Sequence, residues 1–104
     1  MPNIFTKIIA REIPSDIIHE TEHIIVIRDI APKAKTHLLI IPKKEIPTVD
    51  DFTKEDASLI SEMFFAAQDV AKKLLSQAYQ LQLNVGEKDQ EIPHVHMHFL
   101  SQYN

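Results

Sequence analysis

Apolar positions along this 104-residue chain follow two rhythms, one helical and one alternating. In the opening stretch Ile4, Phe5, Ile8 and Ile9 recur at helical spacing and the pattern stops before Pro14, which predicts a short helix folding back onto the rest. "IIHETEHIIVIRDI" gives two apolar runs around Glu20, Thr21 and Glu22, the form of a hairpin. "APKAK" reads as a loop and "THLLIIP" as a further strand that Pro42 ends. From Thr53 to Tyr79 the spacing predicts one long helix. Thr53 and Asp56 form a capping arrangement at its start, and Ala57, Ile60, Met63, Phe64, Ala67, Ala71, Leu74, Leu75 and Ala78 make its core stripe. "QLQLNV" alternates, with Leu81, Leu83 and Val85 on one side and Gln82 and Asn84 on the other. A polar stretch holding Gly86, the only glycine, leads to "HVHMHFL", which alternates again. If these two segments pair as antiparallel neighbours, Gln82 and Asn84 stand on the histidine side.

Composition narrows the function classes. The length suits a single domain spanning residues 1–104. A chain of this size buries only roughly 60–70% of its unfolded surface, so a partner surface would add to its core. Phe65 lies off the helical stripe and is either one exposed aromatic or a contact to a second subunit. A net charge of −4 without a basic run argues against a nucleic-acid binder, though not against a small nucleotide. With no cysteine there is no disulfide or thiolate metal site. Lys7 and Arg11 interrupt any signal-peptide core, and no segment has the roughly 20 apolar residues of a membrane span, so a cytoplasmic protein without a membrane partner is expected.

Half of the six histidines sit in "PHVHMHFL". A plain reading is a half-buried strand whose outer face is histidine. A metal reading rests on two imidazoles pointing the same way, with His37 or an acid as a third ligand. Against it, His94 and His98 lie about 13 Å apart along an extended strand, so the three cannot easily share one ion. The catalytic reading uses the spacing better. One neutral imidazole attacks phosphorus, and a neighbour about 6.6 Å along the same face bonds a phosphate oxygen or the leaving group. The third orients its neighbour, and neither metal nor cofactor is required.

"HVHMHFL" fits the alternating signature of the histidine-triad superfamily, and "IFTKIIAREIPSDIIHE" and "RDIAPKAKTHLLIIPKK" resemble segments of its nucleotide-binding-protein branch. The resemblance runs from Ile4 to about Leu100. It implies an α+β fold: a five-stranded antiparallel sheet, one long packed helix, a short N-terminal helix, and a homodimer joining two sheets. It further implies hydrolysis of purine nucleoside phosphoramidates or related nucleotidyl esters, with a purine nucleotide as substrate. By the resemblance, His96 attacks the α-phosphorus, His98 contacts the phosphate and leaving group, and His94 holds His96 with help from His37. Asp29 then binds the ribose hydroxyls, Phe5, Ile8, Ile27 and Ile30 line the base pocket, and Asn84 and Gln90 lie on the phosphate side. No metal ligand is implied.

Plainer roles stand beside these. Asp29 equally starts a turn before Pro32, His37 is also an ordinary strand-end histidine, and Phe5, Ile8 and Ile27 would be apolar in any fold. His19 and His23 read as surface residues, and Lys43 and Lys44 as a solvated turn. The sequence also departs from the branch. Its phosphate loop is one residue shorter, with Asp89 at the usual glycine and Glu91 at the usual serine, so like-charge repulsion weakens phosphate binding unless these side chains point outward. Asn3 and Thr6 stand where some relatives carry a zinc-binding cysteine pair, and a C-terminal extension is missing. A nucleotide-binding protein with negligible turnover is therefore the alternative function, and a zinc-binding protein the third.

Overall fold

The computed structural model describes residues 3–86 and 89–102. In chain order the elements are helix α1 (Ile4–Ile9), strands β1 (Ile17–Glu20), β2 (Ile24–Arg28) and β3 (Thr36–Pro42), helix α2 (Ala57–Lys73), and strands β4 (Gln80–Leu83) and β5 (Met97–Ser101). The strands form one antiparallel sheet in the order β1-β2-β3-β5-β4. The expected α+β architecture is present.

Both faces of the sheet centre are covered, by different helices. Ile24, Val26, Leu38, Ile40, Met97 and Phe99 join the α2 core, which also takes in Val95. Ile25, Ile27, Leu39 and Ile41 face the other way and pack with Phe5 and Ile8 of α1. This explains why β2 and β3 read as continuous apolar runs while β5 alternates. In β5 the buried positions are Met97, Phe99 and Ser101, which leaves His98 on the α1 face. His98 pairs directly with Gln82 of β4, the pairing the alternation predicts.

The long helix differs from its expected form in length and phase. A short 3-10 turn, Lys54–Asp56, precedes it, where Thr53 and Asp56 make the capping box. The Asp56 carboxylate accepts the Thr53 amide at 2.9 Å. The buried stripe is Met63, Ala66, Ala67, Val70 and Ala71, with Leu59 and Leu74 packed beside it. Ala57, Leu75 and Ala78 are exposed instead of buried, and so is Phe64, at 47%, along with Phe65 at 59%. The run "MFFAA" is apolar through more than a full turn, so spacing alone could not fix which side faces the sheet.

α2 also ends at Lys73, well short of Tyr79. Leu75 takes a left-handed backbone, φ 56°, while its amide donates to Lys72 O at 3.2 Å and that of Ser76 to Ala71 O at 2.8 Å. That is a Schellman cap with leucine where glycine is usual. α1 ends the same way on Arg11, φ 64°. Gly86, φ 95°, sits in the turn after β4, where its carbonyl accepts from both Asp89 and Gln90. Among the described residues no helix is long and apolar enough to cross a membrane.

Candidate active site

Only His98 of the three alternating histidines lies within β5. His94 and His96 precede the strand in an extended segment anchored by Val95, whose amide donates to Ile46 O at 2.8 Å. Alternation nevertheless persists, because Val95 and Met97 are both buried in the α2 core. His96 and His98 stack edge to face, ring centres 5.1 Å apart, and His37 and His98 are equally close at 5.1 Å. Phe5 of α1 sets its ring 5.0 Å from that of His96 and 5.8 Å from that of His94. His37, His94, His96 and His98 thus come together beside the first turn of α1.

Main-chain partners assign the ring protons. The Lys33 amide donates to His37 Nδ1 at 3.0 Å, so the neutral ring carries its proton on Nε2. His37 Nε2 lies 2.8 Å from His98 Nδ1, which makes His98 the acceptor there and places its own proton on Nε2. His98 Nε2 is buried and has no partner among the described residues, an unfilled donor of a kind uncommon in folded proteins. His96 is the opposite tautomer. Its Nδ1–H donates to the His94 carbonyl at 2.8 Å, which leaves Nε2 with a free lone pair. His94 is fully buried, and its Nε2–H donates to Pro42 O at 2.7 Å.

Burial favours the neutral ring at His37, His94 and His98. It lowers His37, with Asp29 opposing, and lowers His94, with the Pro42 carbonyl opposing. His98 is pushed down to about 4, first by burial and then by the neighbouring His96 and His37. The site therefore presents a bare imidazole nitrogen on His96 beside an N–H donor on His98, a pairing suited to attack on an anionic, phosphorus-centred group.

The remaining expected residues divide. Asp29 reaches the cluster, one carboxylate oxygen 3.4 Å from His37 Nε2. Its other oxygen accepts the Ala31 amide at 2.9 Å, so the turn before Pro32 and the site use the same side chain. Phe5, Ile8 and Ile27 are buried in the α1 core, and Phe5 also borders the histidines. Ile30 is 95% exposed at the tip of its loop and does not join them. Asn84 accepts from Gln82 Nε2 at 3.2 Å. The side-chain N–H groups of Gln90 are taken by the Pro47 and Ile92 carbonyls, so this residue clasps the loop instead of presenting donors. Asp89 and Glu91 are both exposed. His37 bonds His98 and not His96, and His94 steadies His96 through its main-chain carbonyl rather than its ring.

Outside the site, His23 is exposed as expected, whereas His19 is only partly so. Lys43 and Lys44 form ion pairs with Glu20 and Asp56, both at 2.7 Å, so they are not merely a solvated turn. Three contributors escaped the sequence reading: the Lys33 amide, the Pro42 carbonyl and the Asn3 side chain, which lies 3.2 Å from His94 Nδ1. Main-chain groups leave no mark in a sequence. Asn3 does carry a legible signal, as a good N-cap residue just before a helical pattern.

The ligand atoms of Asp29, His37 and His98 all lie within 4.8 Å of one another, a spacing that could hold a metal ion. An ion there needs lone pairs on His37 Nε2 and His98 Nδ1 together. That would move the His37 proton to Nδ1, against the Lys33 amide that already points at it. The donor pattern fits a hydrogen-bonded relay better than an ion.

Residues 2–104 match the family model described as "Scavenger mRNA decapping enzyme C-term binding". The chain is 42% identical over 100 residues to the purine nucleoside phosphoramidase of Escherichia coli K12, covering 93% of this chain and 84% of that one. Its fold superposes on a HIT family hydrolase from Legionella pneumophila Philadelphia 1 with a TM-score of 0.92 and 38% identity, covering 99% and 95% of the two chains. A HIT family hydrolase from Clostridium thermocellum gives a TM-score of 0.91 at 40% identity, covering 94% and 88%. With the histidine cluster and the sheet order they accompany, these likenesses place the chain in the histidine-triad superfamily.

Proposed function

We propose that this protein is a nucleotidyl hydrolase that cleaves purine nucleoside 5′-phosphoramidates, adenosine 5′-phosphoramidate among them, through a nucleotidyl-histidine intermediate and without a metal. The observation carrying this reading is the opposed tautomers of His96 and His98. The bare Nε2 of His96 attacks the α-phosphorus, and the Nε2–H of His98 bonds the phosphoryl oxygen and the leaving nitrogen. The P–N bond breaks, the amine departs having taken up one proton, and a P–N bond to His96 replaces it. Water then attacks phosphorus and releases one proton, so the sum is phosphoramidate plus water giving amine plus nucleoside monophosphate.

In this reading His37 fixes the His98 tautomer and His94 holds the proton side of His96. Asp29 takes the ribose hydroxyls, and Asn84 lies on the phosphate side. The sequence relationship to a purine nucleoside phosphoramidase supports the substrate class. The exposure of Asp89 and Glu91 weakens the argument for a protein that binds without turnover. Strand β4 is one edge of the sheet, and it supports a homodimer formed by joining two sheets there, with Phe64 and Phe65 of α2 as further exposed aromatics. Sedimentation at micromolar concentration tests that assembly, and a purely monomeric chain would sink it.

The decisive experiment is rapid quench with adenosine 5′-phosphoramidate, followed by mass mapping of an adenylylated peptide to His96. His96→Ala is expected to lower turnover by about four orders of magnitude, since the nucleophile and the rest of the site act as a unit. Exhaustive chelation should leave the wild-type rate unchanged. Full turnover in His96→Ala would end the covalent mechanism.

A further inference from the structure

Asn3, immediately before α1 and only partly buried, engages both polar atoms of its side chain with other residues. Its Oδ1 accepts the Thr6 amide at 2.9 Å, the N-cap of a short helix. Its Nδ2 lies 3.3 Å from Glu45 Oε2 and 3.2 Å from His94 Nδ1. An amide nitrogen has two hydrogens, so both acceptors are served at once. Capping needs only the oxygen. Nothing about the helix end requires the amide to face a histidine.

The consequence runs through His94. Its ring is gripped at both nitrogens, by Asn3 at Nδ1 and by the Pro42 carbonyl at Nε2. The carbonyl of this same residue receives the Nδ1–H of His96. Phe5, two residues after Asn3, lays its ring against both imidazoles. A ring clamped on two sides holds its own main chain in place, and that main chain sets the direction in which His96 presents Nε2.

We infer that Asn3, backed by Glu45, is a positioning residue for His96. It holds the His94 ring at Nδ1, so that the first turn of α1 governs the rate through His94. This rests on the reading of His96 as nucleophile. It goes further in assigning a rate-setting role to a residue outside the histidines.

Asn3→Asp and Asn3→Ser separate this role from capping, because Asp and Ser cap helices about as well as Asn. Neither gives His94 a donor: the carboxylate presents oxygen to a lone pair, and the hydroxyl is on a shorter side chain. Asn3→Ser should unfold close to the wild-type temperature, and Asn3→Asp slightly below it, because its carboxylate faces Glu45. Their kcat for adenosine 5′-phosphoramidate should fall roughly 10–100-fold, the scale of a small misplacement of a reacting group. KM should stay within about twofold, because an interaction felt only in the transition state is being lost.

Wild-type kcat in both variants, with His96→Ala inactive, would overturn the inference and leave Asn3 a cap alone. So would a kcat loss confined to a variant that also unfolds early. Imidazole nitrogen-15 spectra read the same role without turnover. The His96 Nδ1–H signal should be sharp in the wild type and broadened or shifted in Asn3→Asp. If the wild type proves not to hydrolyse the phosphoramidate, the reading of the enzyme fails, and these spectra alone decide the positioning role. An unchanged His96 signal in both variants would then refute it.

Discussion

His98 is a base that the fold disarms and a donor that the fold aims. Burial removes its charge, His37 occupies its Nδ1, and what remains is an N–H in a buried place with no partner among the described residues. Removing it with His98→Ala should cost on the order of 100-fold in kcat, the scale of losing one preorganised donor to a developing oxyanion. His37→Ala should cost less, on the order of tenfold, since the donor stays but its orientation loosens. Steady-state kinetics on both variants check the ranking, and an equal loss in the two would show that His37 acts on substrate directly. Strand period alone put the three histidines on one face. It could not say which of them is acceptor and which donor, because Lys33, Pro42 and His94 act through main-chain groups that any residue supplies. Resemblance supplied His37, but as an aid to His96, where it bonds His98 instead.

The two helices show the same contrast between what a pattern fixes and what packing fixes. Thr53 and Asp56 announced the start of α2, because a capping box is a local arrangement with a local signature. Its end carries no such signal, since leucine stands where the left-handed residue is needed. Leu75 is 80% exposed, so replacing it forfeits little burial. Leu75→Gly is therefore expected to stabilise the protein by about 0.5–1 kcal/mol, the left-handed strain relieved less the added freedom of the unfolded chain. Urea unfolding measures this, and a loss of stability would mean that contacts of Leu75 outweigh its backbone strain. The exposed Phe64 makes the same point about phase. Where every side of a helical turn is apolar, the sheet beneath it chooses the face, through the close approach that Ala66 and Ala67 permit.

For the whole molecule, the buried imidazoles couple folding to pH. His98 titrates near 4 in the folded chain against an ordinary 6.5, and burial lowers His37 and His94 as well. Between those values the unfolded chain binds more protons than the folded one, so unfolding is favoured as protons are added. The contribution is complete above about pH 6.5 and is lost as the pH falls towards 4. Glu20 and Asp56, held below the usual carboxylate range by Lys43 and Lys44, act in the same sense at lower pH. Urea midpoints are expected to fall steadily from pH 6.5 to 4, and His98→Asn should flatten part of that slope. A midpoint independent of pH over this window would contradict the neutral tautomers.

Spacing and alternation made two of the pairings legible, the β1–β2 hairpin and β4 beside β5, whereas β3 beside β5, which brings His37 to His98, has no local signature. The protons within the site are set mostly by peptide groups: the amide of Lys33 and the carbonyls of His94 and Pro42. Such groups are inherited with the path of the backbone and not with the letters along it. Descendants of this chain can therefore exchange Lys33 for almost anything, proline excepted because it lacks the N–H, and redecorate the loop around Asp89 and Glu91. The same nitrogens would still be bare and the same ones protonated, so variation can reshape the surroundings of the cluster while its pattern of donors and acceptors stays as it is.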